Sequence, residues 1–168
     1  MINKKICMLG ALAVGKTALV RRYVRSIFTD NYLSSVGVKV SKKNVDINGE
    51  SVTLLLWDLE GQDNYNDINT SYMKGASGLL FVVDGTRGET LSVALKLRNT
   101  ALSLLGHDTP HLLLLNKEDI KDSWEITSKV VDSLKSNRIN VLETSAKTGL
   151  NVELAFSNLA TMMMGKQT

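Results

Sequence analysis

The sequence predicts a doubly wound α/β domain with a mostly parallel sheet of six strands, one of them an antiparallel hairpin strand, and helices on both faces. Short apolar runs alternate along the chain with segments of helical spacing. The dipeptide Asn48-Gly49 lies between two strand-like runs and predicts a hairpin, because both residues tolerate positive φ. There is no repeat or linker, so we expect a single domain over residues 1–168.

The strands are predicted from short runs of apolar residues. Runs that are apolar at every position are typical of parallel strands buried on both faces. We expect strands at Ile6–Leu9, Val38–Ile47, Ser51–Trp57, Ser77–Val83, His111–Leu115 and Ile139–Leu142.

The helices are predicted from apolar residues at helical spacing. They cover Thr17–Ile27, Leu91–Leu105, Ser123–Leu134 and Val152–Met164, and Asn151 is the expected N-cap of the last. Ligands of such folds bind outside the carboxyl ends of the strands. Site residues should therefore directly follow apolar runs.

Composition and charge exclude several classes of protein. The 20 basic and 17 acidic residues give a net charge of only +3, too mild for a nucleic-acid binder. The lone Cys7 excludes an intrachain disulfide and fits a reducing compartment. We see no signal peptide, no apolar stretch that could span a bilayer and no lipid-anchor motif, so we expect a cytoplasmic monomer, with peripheral membrane association left open.

The first strand runs into a phosphate-binding motif. Residues 10–17, GALAVGKT, have the spacing G-x-x-x-x-G-K-[ST]. The glycines allow backbone N–H groups to surround phosphates, and the following helix adds its N-terminal dipole. Lys16 would reach the β- and γ-phosphates, and the Thr17 hydroxyl would bind Mg²⁺.

A second segment supplies the metal-side carboxylate. Asp58 follows the apolar run 52–57, where a phosphate-loop protein needs a carboxylate for the Mg²⁺ shell. Gly61 offers a backbone N–H to a γ-phosphate. The Gln62 amide can orient an attacking water because it both donates and accepts hydrogen bonds.

Two further segments are candidates for reading the base. Asn116-Lys117-Glu118-Asp119 follows a strand, and the acceptor-only carboxylate of Asp119 matches the two donors on one edge of guanine. Lys117 would lie along the ring, and Asn116 would tie this loop to the phosphate loop. The segment Ser145-Ala146-Lys147 follows the next strand, and its N–H groups could meet the guanine oxygen.

These motifs, in this order, resemble the Ras superfamily of small GTPases over essentially the whole chain. The segments 10–17, 32–37, 58–62, 116–119 and 145–147 carry the resemblance. The stretches 57–62 and 36–38 are most similar to the Rab branch, and 13–17 with 57–61 also resembles Rab-like proteins of bacteria.

The resemblance implies GTP and GDP as ligands with Mg²⁺ as the metal. It implies Mg²⁺ contacts from Thr17, Ser35 and Asp58, and catalytic roles for Gln62 and Lys16. It implies nucleotide contacts from Ala13, Val14, Gly15, Lys16, Thr17, Ala18, Phe28, Ser35, Gly61, Asn116, Lys117, Asp119, Ser145, Ala146 and Lys147.

The resemblance also implies protein effectors and regulators that meet two switch regions, 29–38 and 59–74, ordered by the triphosphate. Val40, Trp57 and Tyr72 fall where Rab-like proteins expose an apolar effector patch. Packing across the hairpin explains that trio equally well. The basic residues Arg21, Arg22 and Arg25 are interpreted as a solvated helix face, with contact to an acidic partner or to membrane headgroups as the alternative.

Three departures from the family bear on hydrolysis. Leu12 is bulky where a small residue is usual and would crowd the γ-phosphate. Ser35 replaces the usual threonine, and Glu60 places an anionic group before Gly61. With no recognisable arginine finger in cis, we expect slow intrinsic hydrolysis.

Three functions remain open from the sequence. The first is a GTPase switch. The second is a GTP-loaded interaction scaffold with little or no hydrolysis, which Leu12 and Glu60 favour and Gln62 opposes. The third is an ATP-using phosphate-loop enzyme, against which Asn116, Lys117 and Asp119 argue.

Overall fold

Seven strands form one sheet in the computed structural model, which describes residues 2–24, 32–33, 38–59 and 70–165. The six predicted strands are all present, and a two-residue strand adds to the edge of the sheet. In chain order the strands are β1 Ile2–Gly10, β2 Tyr32–Leu33, β3 Val38–Ile47, β4 Glu50–Leu59, β5 Gly78–Asp84, β6 His111–Asn116 and β7 Val141–Glu143.

The strand order across the sheet is β2-β3-β4-β1-β5-β6-β7. The neighbouring strands β4, β1, β5, β6 and β7 run parallel to one another. Strand β3 is antiparallel to β4, and β2 is antiparallel to β3. The predicted mostly parallel α/β fold is therefore confirmed. The carboxyl ends of β1, β5, β6 and β7 all open on the same edge of the sheet, where the predicted motifs lie.

The hairpin between β3 and β4 turns at Asn48-Gly49, as predicted. Asn48 has φ 54° and Gly49 has φ 84°, the left-handed values that a two-residue hairpin turn requires. The Gly49 N–H donates to Asp46 Oδ1 at 2.9 Å, which closes the turn.

Four α-helices cover the two faces of the sheet within the described ranges: α1 Lys16–Val24, α2 Glu89–Leu105, α3 Ser128–Ser136 and α4 Val152–Met164. Residues Thr70–Met73 and Glu118–Ser123 form short 3₁₀ turns. The predicted part of α1 beyond Val24 lies outside the described residues.

The predicted start of α3 at Ser123 is wrong, because the chain is extended at Trp124 (φ −70°, ψ 136°). The indole N–H of Trp124 donates to Lys117 O at 2.9 Å, which fixes this residue against the loop after β6. The helix begins at Ser128 instead, where the side chain of Thr127 accepts from Val130 N and acts as the N-cap.

Asn151 occupies the N-cap position of α4, as predicted, but it does not cap the helix with its side chain. The residue is left-handed (φ 56°) and its side chain makes no cap hydrogen bond. Its amide nitrogen donates instead to Glu143 O at 2.9 Å, so the side chain holds the end of β7.

Two apolar cores lie on opposite faces of the sheet. Alternating residues of β1, β5 and β6 pack on one face against α1 and α4, where the rings of Tyr23 and Phe156 stack at 4.0 Å between centroids. The other residues of these strands, Cys7 among them, pack against α2 and α3. Burial raises the pKa of the Cys7 thiol to about 11, so Cys7 is an inert core residue.

Candidate functional site

The loop between β1 and α1 surrounds the ammonium group of Lys16. This side chain is only 6% exposed, and its Nζ donates to Gly10 O and Ala11 O, both at 2.9 Å. The ammonium group of Lys16 is therefore enclosed by the backbone of the loop, at the N-terminus of α1. A buried ammonium and a helix N-terminus together favour an anionic ligand.

The next three carbonyls of the loop are held from outside by three side chains. The bonds run from Arg87 Nη2 to Leu12 O at 2.6 Å, from Lys117 Nζ to Ala13 O at 3.2 Å and from Asn116 Nδ2 to Val14 O at 3.0 Å. In a planar trans peptide the C=O and the following N–H point in opposite directions. The N–H groups of residues 13–15 therefore face the opposite side from these three donors, as a phosphate cradle requires.

Gly15 is required where the loop passes Asn116. Its φ is 109°, and a Cβ there would lie 2.2 Å from Asn116 Nδ2. A larger residue would separate the phosphate loop from the loop after β6.

Thr17 and Asp58 meet at the start of α1 and the end of β4. The Thr17 hydroxyl donates to Asp58 Oδ2 at 2.5 Å, and Asp58 is 1% exposed. Hard oxygen donors of this kind fit Mg²⁺, which binds through one or two carboxylates plus substrate phosphates. Within the described ranges, no three His, Cys, Asp or Glu side chains are grouped so that they could hold a metal ion.

The two candidate base-reading loops are joined to each other. Ser145 Oγ donates to Asp119 Oδ1 at 2.7 Å, and Thr148 N donates to Ser145 Oγ at 3.1 Å. Thr144 Oγ1 also donates to Asn116 Oδ1 at 3.1 Å. Asn116 thus ties the loop after β7 to the phosphate loop through a single buried amide.

Asp84, at the end of β5, is a buried carboxylate that the sequence analysis missed. It accepts from Lys117 Nζ at 2.8 Å, Arg87 Nε at 3.0 Å and Thr86 Oγ1 at 2.7 Å. Burial acts to raise the pKa of Asp84, but the hydrogen bonds from Lys117, Thr86 and Arg87 outweigh it and lower the pKa from 3.8 to about 2. Asp84 is therefore ionised at neutral pH.

Arg22 in α1 contacts the backbone of the loop after β7. Its guanidinium donates to Lys147 O at 3.4 Å and to Thr148 O at 2.9 Å. Gly149 has φ 87°, and a Cβ there would lie 2.6 Å from Arg22 Nη2. The interpretation of Arg22 as part of a solvated helix face is therefore wrong.

A cavity of about 470 Å³ opens at this edge of the sheet. Its lining residues are Leu12, Ala13, Gly15, Lys16, Thr17, Ala18, Arg21 and Lys117. A second cavity of about 640 Å³ lies at the amino ends of β6 and β7, between α3 and α4, away from every motif. The smaller cavity is the candidate ligand site because the buried Lys16 and the loop residues Leu12, Ala13 and Gly15 line it.

The sequence-predicted site residues divide into two groups. Those of the segments 13–18, 116–119 and 145–147, together with Asp58, lie at the carboxyl edge of the sheet, and all of them except Ala18 and Ala146 take part in the contacts given above. Phe28, Ser35, Gly61 and Gln62 lie outside the described residues, as do Glu60 and Arg25.

Comparison with known proteins identifies this arrangement. The model of the Ras family matches residues 5–165. The chain belongs to the Ras family. It is 32% identical over 157 residues to the Ras-related protein Rab-13 of Bos taurus, covering 93% of this chain and 77% of that protein. It is also 31% identical over 163 residues to the Ras-related protein Rab-10 of Diplobatis ommata, covering 96% and 82% of the two chains.

A third relative is the Ras-related protein Rab-8A of Pongo abelii, 30% identical over 160 residues, which cover 93% of this chain and 76% of that protein. The resemblance to Rab-like members of the Ras superfamily is thus confirmed. The chain is a small GTPase, a GTP-binding protein of a family whose members bind GTP and GDP with Mg²⁺. Within the described part of this Ras-family chain, no helix is long and apolar enough to cross a membrane.

Two of the three further residues found at this Ras-family site, Asp84 and Arg87, carry a signal in the sequence. Asp84 and Arg87 follow an apolar run, the position where ligands bind in an open α/β sheet. Asp84 ends β5, a position comparable to that of Asp58 near the end of β4. Arg22 gave no such signal, because a basic residue on a helix is usually solvated.

Val40, Trp57 and Tyr72 come together on the face of the sheet that carries α2. Val40 lies opposite Trp57 in the β3–β4 register, and the rings of Trp57 and Tyr72 are 6.4 Å apart. All three are half-buried, and Lys5 Nζ lies 3.7 Å from the Trp57 ring centroid.

Proposed function

We propose that this Ras-family chain is a guanine-nucleotide-dependent switch that binds GTP and GDP with Mg²⁺ and hydrolyses GTP slowly. The observation that carries this proposal is the joining of the two base-reading loops. Ser145 Oγ donates to Asp119 Oδ1 at 2.7 Å, at the same edge of the sheet as the buried Lys16. A carboxylate held by one hydroxyl keeps acceptor positions for a second partner.

Guanine is the base that such a carboxylate selects. The Asp119 side chain accepts hydrogen bonds only, and guanine offers two donors on one edge, so adenine would leave a charge unpaired. Backbone N–H groups of Ala146 and Lys147 are proposed to meet the guanine oxygen. The Ser145 N–H, also expected to do so, donates instead to Leu150 O at 3.1 Å. Phe28 is proposed to pack against the ring. Lys117 would lie along the base and ribose.

The phosphates are proposed to lie along the loop 13–18. Lys16 would neutralise phosphate charge, and the N–H groups of the loop would bind phosphate oxygens. Thr17, Asp58 and the Ser35 hydroxyl form the proposed Mg²⁺ set. Bound Mg²⁺ supplies charge neutralisation on the β- and γ-phosphate oxygens.

Slow hydrolysis is proposed from one feature of the phosphate loop. Leu12 is 49% exposed and lines the cavity proposed for the nucleotide, so its side chain lies outside the protein core. There it would hinder the approach of Gln62 and water to the γ-phosphate. Gly61 would supply an N–H to the same phosphate.

Signalling is proposed to run through the switch regions 29–38 and 59–74. Effectors and regulators would meet the half-buried apolar surface of Val40, Trp57 and Tyr72, which adjoins both regions in the chain. We expect the protein to act as a cytoplasmic monomer.

The Asp119→Asn variant tests the base assignment. An amide presents both a donor and an acceptor, so GTP affinity should collapse while affinity for xanthosine triphosphate appears. Titration calorimetry with GTP, ATP and xanthosine triphosphate measures this. Asp132→Asn, an exposed change on α3, serves as the control. Unchanged GTP affinity in Asp119→Asn would show that the base is read elsewhere.

The second candidate is a GTP-loaded scaffold with little or no hydrolysis. The exposed Leu12 side chain in the cavity favours it. The nucleotide that co-purifies with the protein separates the two, since a working switch would carry GDP and a scaffold would carry GTP. A co-purifying adenine nucleotide would contradict both.

A further inference from the structure

All six backbone carbonyls of the phosphate loop, residues 10–15, accept a hydrogen bond. Lys16 supplies the first two, and the Leu19 N–H donates to Gly15 O at 2.9 Å within α1. The middle three carbonyls accept from Arg87, Lys117 and Asn116. Of these donors, Asn116 and Lys117 belong to a recognised motif, and Arg87 does not.

Arg87 reaches the loop from the segment that follows β5. Its Nη2 lies 2.6 Å from Leu12 O, and its Nε lies 3.0 Å from Asp84 Oδ2. The guanidinium thus connects a buried carboxylate to one backbone carbonyl. Its planar fork lets two donors of one side chain meet two separate acceptors in fixed directions.

Asp84 holds both cations that reach the loop. Its side chain is 2% exposed, and the same Oδ2 accepts from Lys117 Nζ at 2.8 Å. Arg87 and Lys117 then donate to the neighbouring carbonyls of Leu12 and Ala13. One buried carboxylate therefore aligns two successive peptide groups of the loop.

The conformation of Ala13 explains why this alignment matters. Ala13 has φ 61°, a left-handed conformation that is unfavourable for alanine. A residue adopts such a conformation only where its surroundings impose it. The peptide between Leu12 and Ala13 carries Leu12 O toward Arg87 and so turns the Ala13 N–H away from it. That direction leads into the cavity lined by Ala13 and Lys16.

We propose that Arg87, held by Asp84, is a positioning residue that fixes the Leu12–Ala13 peptide so that the Ala13 N–H points at the bound phosphates. The inference rests on the proposed function, because it assigns a role toward the same nucleotide. Arg87 acts through the loop backbone and touches no phosphate itself. Its loss should loosen phosphate binding and leave base recognition by Asp119 intact.

The Arg87→Gln variant tests this role. Dissociation of a fluorescent GDP analogue from the Mg²⁺-loaded protein should accelerate roughly tenfold, the effect of losing one charge-assisted hydrogen bond. The ³¹P resonance of the β-phosphate of bound GDP should shift, because the N–H beside it is no longer fixed. The preference for GDP over ADP should remain that of the parent.

Arg138→Gln is the matched control, since Arg138 is exposed at the end of α3 and far from the loop in the fold. It should change neither the dissociation rate nor the ³¹P resonance. Arg87→Lys keeps one cation but lacks the fork, so its dissociation rate should lie between those of the parent and Arg87→Gln.

Two results would overturn the inference. One is an Arg87→Gln protein with the parent dissociation rate and ³¹P resonance. The other is an Arg87→Gln protein whose preference for GDP over ADP differs from that of the parent, because the role would then not be confined to the phosphates. If Arg87→Gln does not fold, the Arg87→Lys rate and resonance decide alone, and parent values for both overturn the inference. A parent protein that binds no GDP would instead overturn the proposed function.

Discussion

Ser145 Oγ donates to Asp119 Oδ1 at 2.7 Å, so the loop after β7 holds the carboxylate of the loop after β6. Ser145 is fully buried, and its Oγ also accepts from Thr148 N at 3.1 Å. The hydroxyl therefore orders its own loop while it orients Asp119. A carboxylate that is already oriented by a buried hydroxyl loses less conformational entropy when a ligand binds, so binding costs less free energy.

We predict that Ser145→Ala lowers the affinity for both GDP and GTP by roughly tenfold, since one charge-assisted hydrogen bond is worth about 1.5–3 kcal/mol. Titration calorimetry with each nucleotide measures the loss. Ser157→Ala, an exposed serine on α4, is the control. Equal affinities for Ser145→Ala and the parent would show that Asp119 is oriented by other contacts.

Arg22→Gln should accelerate nucleotide release because it loosens the loop after β7. Arg22 contacts Lys147 O and Thr148 O and not the phosphate loop, so GDP and GTP should dissociate faster by the same factor, on the order of tenfold. Stopped-flow release of fluorescent analogues of both nucleotides measures this, with Arg138→Gln as control. A faster release of one nucleotide only would contradict the assignment.

Leu12→Ala should raise the intrinsic rate of GTP hydrolysis. We expect the parent to hydrolyse GTP at about 10⁻⁴ s⁻¹ or more slowly, the scale of an unassisted small GTPase. Removing the side chain that lines the cavity would open the path of water to the γ-phosphate. Single-turnover hydrolysis with Mg²⁺ measures both rates, and Leu104→Ala, an exposed leucine on α2, is the control. A parent turnover of several per second without a partner would contradict the prediction.

Asp84 should contribute stability that is lost in acid. Its folded pKa of about 2 lies below its ordinary value of 3.8, so the folded state prefers the ionised form. The contribution of about 2 kcal/mol is present above pH 4 and falls as the pH drops toward 2. The difference in unfolding free energy between the parent and Asp84→Asn should shrink over this window in urea titrations at fixed GDP. Asp132→Asn is the control, and a difference that is independent of pH would refute the coupling.

The strands were predicted well because their signal is local. Runs such as Leu112–Leu115 are apolar at every position, and their short length favours a strand buried on both faces. The start of α3 was predicted wrongly because Trp124 is held by Lys117 O, a contact between segments that periodicity does not reveal. Asn151 was correctly predicted at the N-cap position of α4, but the hydrogen bond from its side chain to Glu143 O is another contact between segments that periodicity does not reveal.

The sequence by itself determined the motifs of this protein. The spacing of Gly10, Gly15 and Lys16 demands a phosphate loop, and Asn116 to Asp119 predicts a guanine-reading loop, because each motif lies within a few residues. Only the tertiary structure decided which side chains orient these motifs. Arg87 meets Leu12 across 75 residues, and Arg22 meets Thr148 across 126. Such pairs arise where parallel strands end at one edge of the sheet, so no local pattern records them.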